Sequence, residues 1–125
     1  MKTIEEQEKY LIDTITEKQK KLLKDSDVLY PDELSRIGME LAVLLSSLGV
    51  VEASREITCN MAMKLLMDND LKMTKSKAEV IMKCQEEYEE YRKVKACRCS
   101  LEETIKMIKV RIRTLMSEEQ IIKHI

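Results

Sequence analysis

Phenylalanine and tryptophan are missing from this chain, and only Tyr10, Tyr30, Tyr88 and Tyr91 are aromatic. A core of stacked rings is thereby excluded, so isoleucine, leucine and nine methionines must fill the interior. Two glycines and one proline supply little turn-forming material, which excludes a strand-and-turn fold and leaves an all-α one. The single histidine is His124. Neither a histidine-based metal site nor a nucleophile–histidine pair can be built elsewhere, and G-x-S-x-G, glycine-rich phosphate loops and H-E-x-x-H are all missing. We therefore expect no enzyme and no cofactor.

Charge of one sign is missing too. Twenty-two basic and 23 acidic residues leave a net charge of −1, so the chain as a whole is not a polyanion binder. Met1 to Tyr10 is charged and has no signal-peptide core. The longest strongly apolar stretch, Leu41 to Val51, contains Ser46 and Ser47 and is too short to span a bilayer. These absences predict a cytoplasmic protein without a membrane partner. In that compartment the four cysteines are expected as reduced thiols that behave as small hydrophobes. On a helix Cys97 and Cys99 point to nearly opposite sides, so they cannot chelate a metal as a unit.

At 125 residues the chain forms one domain with a real core. Its strongest positive feature is a stripe at heptad spacing: Val80, Cys84, Tyr91, Val94, Leu101, Ile105, Ile108, Ile112 and Leu115, with Arg98 the one polar intruder. Such a stripe keeps one side of a long helix apolar and needs another helix to cover it. Ser76 and Glu79 form a capping box before it, which predicts one helix over 76–117. Thr3 and Glu6 form another, opening a helix over 4–24 whose face is Ile4, Leu11, Ile15 and Leu22. Asp25-Ser26-Asp27 reads as a break, and Pro31 suits the first turn of the next helix.

That helix, over 31–67, carries Leu34, Ile37, Leu41, Leu44, Leu48 and Val51, then slips in phase to Ala53, Ile57, Met61 and Leu65. Gly49 either divides it or sits inside it at a cost of ~1 kcal/mol relative to Ala. Continuity is favoured, because no proline or polar loop follows. The expected architecture is a long antiparallel helical hairpin with coiled-coil-like packing and a shorter N-terminal helix over about half its length. The uncovered remainder predicts a homo-oligomer or another protein as partner, with Val94, Leu101, Ile105, Ile108, Ile112 and Leu115 as the seam. The methionine-rich tip, Met61, Met63, Met67, Leu71, Met73 and Met82, reads as core.

Two charge patterns carry functional content. Glu86-Glu87 and Glu89-Glu90 would hold a divalent cation only if they faced a second acidic helix; a solvated helix face is the simpler reading. Between residues 92 and 113, eight cations meet two anions. Arg92, Lys95, Lys106, Lys109 and Arg113 fall on one helical line about 31 Å long at 1.5 Å per residue, with Tyr88 and Tyr91 at its start. The stripe would follow a phosphate backbone with the tyrosines stacking on bases, or be ordinary solvated charge beside a seam.

The segment from Glu86 to Leu115 resembles the final helix of small all-helical proteins of tailed bacteriophages, and among them the UvsY-like recombination mediators. Ile108-Lys109-Val110-Arg111 stands where those proteins have an I-K-x-R-like segment. The resemblance implies a phage-encoded homo-oligomer in the host cytoplasm that binds single-stranded DNA and helps load a recombinase. Two readings follow. One is a non-enzymatic accessory protein working by helix-mediated protein binding and self-association, as a scaffold or as an inhibitor of a host or defence enzyme. The other is a single-stranded-DNA-binding mediator using the basic stripe.

Overall fold

A computed structural model describes residues 3–25 and 28–123, with side chains to 119. Ser26 and Asp27 of the expected break, His124 and the side chains of Ile121-Ile122 lie outside the described residues. The described residues form four helices: α1 (Ile4–Asp25), α2 (Pro31–Asn69), α3 (Lys75–Lys83) and α4 (Glu86–Lys123). The fold is all-α, and α2 and α4 pack closely as an antiparallel hairpin. Their direction follows from the partners across the seam: Gly38 lies against Ile108, Glu52 pairs with Arg98, and Cys59 reaches the Glu87 carbonyl. Meanwhile α1 is antiparallel to α2, through Glu8–Arg55 and Lys18–Glu40, and bonds α4 through Gln19 to Ser100 and Thr104.

The core is one residue per heptad from each long helix. Ile15 and Leu22 of α1, Leu34, Leu41 and Leu48 of α2, and Val94, Leu101 and Ile108 of α4 are all buried, seven apart within each helix. Leu44, Val51, Ile105, Ile112 and Leu115 pack around them, half-buried. Within the chain Val94 and Leu101 of the expected seam are 0% exposed and Ile108 2%, while Ile105, Ile112 and Leu115 keep part of their surface open.

Local chemistry explains the boundaries. Thr3 Oγ1 accepts from the Glu6 amide at 3.1 Å, starting α1. Pro31 stands in the first turn of α2, which passes through Gly49 unbroken for 39 residues, about 58 Å. Where the capping pattern predicts one helix over 76–117, the structure has two. Thr74, not Ser76, caps α3 by accepting from the Lys77 amide. Tight bonds from Cys84 N to Ile81 O and from Gln85 N to Met82 O then close α3. Glu86, Glu87 and Glu89 sit in the first turn of α4, where the helix dipole favours anions. The break rotates the stripe away from its expected phase: Val80 and Cys84 are exposed, and Ala78 and Met82 are buried against α2 instead.

Two further expectations fail at the same end. Of the methionine-rich tip only Met82 is buried, while Leu71 is 98% exposed. The slipped phase Ala53, Ile57, Met61 and Leu65 faces solvent. Arg55 and Cys59 point inward in its place, because the leucine heptad simply continues from Leu48 into Arg55.

Candidate functional site

Three features of this fold bear on function. The first is a charged layer that ends the apolar core. Glu8 lies seven residues before Ile15 and Arg55 seven after Leu48, so both occupy core positions of the repeat. The Glu8 side chain is 7% exposed and that of Arg55 21%. Arg55 donates Nε and Nη2 to the Glu8 carboxylate. That hydrogen bond holds the guanidinium above its usual pKa, against a desolvation that acts the other way. Glu90 and Glu5 add attraction from farther away. An open cavity of about 520 Å³ lies over this pair, with Glu86, Glu87, Lys9 and Lys93 also at its wall. Glu86 and Glu87 do face acidic side chains of α1 here, yet among the described residues no three acidic, thiol or imidazole groups are placed to hold a metal. Burial first, then Glu87, pushes the Cys59 thiol up, and burial alone does the same to Cys97. None of the four cysteines is in a disulfide.

The second feature is the basic stripe. Arg92, Lys95, Lys106, Lys109 and Arg113 are all exposed on the outer side of α4. Lys106 pairs with Glu103, at 3.3 Å and with both side chains open to water. Arg92, Lys109 and Arg113 make no ion pair among the described residues. Tyr88 and Tyr91 lie with ring centroids 6.1 Å apart and tilted by 39°, and Lys95 Nζ stands 5.9 Å from the Tyr91 centroid. The structure thus brings Tyr88, Tyr91, Arg92 and Lys95 to one shallow depression at the start of α4. Arg98, the intruder in the seam, is not part of it: it turns toward α2, hydrogen-bonded to Glu52 and at 2.9 Å to Glu102. Those two bonds raise its pKa, the Glu52 bond more.

The third feature is a second apolar seam, on the side of α2 turned away from the core. Met39, Val43, Val50, Ile57, Met61 and Leu65 are each at least 59% exposed. With Ser46 and Ala53 they recur every three or four residues, which keeps them on one line about 39 Å long at 1.5 Å per residue. By length and composition α2 carries an 18-residue window fit to cross a membrane, and 17% of that window is buried within the chain. The apolar run is thus longer than the Leu41–Val51 stretch suggests, since single charges at Glu40 and Glu52 do not end it. Half of this seam was legible as periodicity; which side of α2 it occupies was not. The Glu8–Arg55 layer was missed, although counting heptads outward from Ile15 and Leu48 lands on both residues. No protein-family model, curated protein or solved structure matches the chain.

Proposed function

We propose that this protein is a non-enzymatic accessory factor that works by helix-mediated protein binding and self-association, as a scaffold or as an inhibitor of another protein. The observation that carries this reading is the outer seam of α2, where six large apolar side chains stand at least 59% exposed on one line. Contiguous apolar surface of that extent on a water-facing helix is what a protein partner covers. The buried Glu8–Arg55 pair is mutually satisfied.

A second reading has its own support. A single-stranded-DNA-binding mediator of the UvsY-like type would use Arg92, Lys95, Lys106, Lys109 and Arg113 against phosphates and Tyr88 and Tyr91 against bases. The cations left without ion pairs on α4 favour it.

Site-specific photo-crosslinking in cells separates the two. A benzophenone side chain placed at Val50 should capture protein, and one at Lys109 should capture nothing in particular. Nucleic-acid adducts at Lys109 with none of any kind at Val50 would overturn the ranking in favour of the mediator.

A further inference from the structure

We infer that the occupant of the outer α2 seam is the same seam of a second copy of this chain, lying antiparallel across it. The inference rests on the protein-binding reading above and names its partner. Area is the first argument. The chain exposes 9477 Å². A compact monomer of 14.6 kDa would expose about 6,900 Å², an excess of roughly 2,600 Å². Its elongated shape accounts for part of that, but a standard protein interface needs only about 800 Å² per partner. The seam, about 39 Å long, offers a strip of that order, and its members are the exposed large apolar side chains of α2.

Self-complementarity is the second argument. A two-fold pair requires one patch to fit itself. Between Arg36 and Lys64 the line carries no charge, and in its middle Ser46, Ser47, Ala53 and Ser54 flank Val50. Small residues there let two helix backbones approach closely, while Met39, Val43, Met61 and Leu65 supply bulk toward the ends. Each end carries both signs: Arg36, which pairs with Glu40 at 3.5 Å, near the start of α2, and Lys64 with Asp68 near its finish. A parallel pair would set Arg36 on Arg36 and Asp68 on Asp68. An antiparallel pair sets Arg36 opposite Asp68 of the second copy, and in the same register Met39 opposite Leu65, Val43 opposite Met61 and Val50 opposite Ser54. Apolar side chains then meet at both ends of one continuous contact, and the two flanking ion pairs are equivalent by symmetry.

The test is mass by light scattering from 1 to 100 µM, with helicity followed by circular dichroism. Wild type should give twice 14.6 kDa. Val50→Glu should give a monomer with unchanged helicity, since Val50 is 72% exposed within one chain and plays no part in its core. Arg36→Asp should weaken the dimer about tenfold, and adding Asp68→Arg should restore it; loss without restoration would overturn the antiparallel order. A wild type that stays monomeric at every concentration overturns the second-copy inference. If its Val50 photoprobe still captures another protein, the protein-binding reading stands without it. If that probe captures none, both fall. A monomer that sediments with phosphatidylcholine vesicles, and loses this on Val50→Glu, assigns the seam to a lipid surface instead.

Discussion

Changing Arg55 to leucine strands the Glu8 carboxylate at a core position where it is 7% exposed. Breaking a buried pair by removing one partner costs about 3–5 kcal/mol, because the remaining charge has lost its water and its counter-ion. The heptad register supplies the control. Ile15 and Leu22 follow Glu8 on its line of α1, and Leu34, Leu41 and Leu48 lead up to Arg55. Glu8→Leu with Arg55→Leu therefore continues the apolar core by one layer, and such replacements are neutral or stabilising by about 1–4 kcal/mol. Glu8→Leu alone should cost less than Arg55→Leu, because Arg55 keeps the attraction of Glu90 and Glu5. Urea titration followed by circular dichroism reads this directly. With a slope near 2 kcal/mol per molar urea, Arg55→Leu should lower the midpoint by about 2 M, and the double variant should return to wild type or above it. A single variant within about 0.5 kcal/mol of wild type would mean that water screens the pair, as at exposed bridges. A double variant as unstable as Arg55→Leu would refute the assignment of these positions to the core repeat.

Two other outcomes are expected. Gly49→Ala should raise stability by about 0.5–1 kcal/mol, since α2 is helical there and an added Cβ meets nothing within 4 Å. Gly38→Ala should gain less, its Cβ standing 3.4 Å from Ile108 Cγ2; the reverse order in melting temperature would contradict the path of α2. A disulfide-exchange reagent at pH 8 should label the exposed Cys84 and Cys99 first and the buried-side Cys59 and Cys97 later. The raised thiol pKa of Cys59 and Cys97 leaves less thiolate, so their rate should climb as pH rises further; four equal rates would refute the burial of those two.

Much of the candidate surface was legible before any fold. The line Arg92, Lys95, Lys106, Lys109, Arg113 depends only on helical spacing along one helix, and all five residues are indeed on its outer side. The outer α2 seam was visible as the slipped phase Ala53, Ile57, Met61 and Leu65, but not its placement, because periodicity gives the width of an apolar face and not its direction. A helix apolar on two sides presents two equally good stripes. Only the neighbours decide which one is buried.

Helicity, the starts of α1 and α2, and the interior lines Leu34, Leu41, Leu48 and Val94, Leu101, Ile108 were all legible from residue order. Those properties rest on the Thr3 cap of α1, on Pro31 in the first turn of α2 and on a repeat of seven, each local to one helix. Tertiary structure alone decided the rest. Glu8 and Arg55 are 47 positions apart, and they meet only because α1 and α2 run antiparallel in one particular register. The interruption at Cys84 and Gln85 likewise trades a few helical bonds for the burial of Ala78 and Met82 against α2. That exchange depends on where α2 lies, and no spacing within residues 76–117 encodes it.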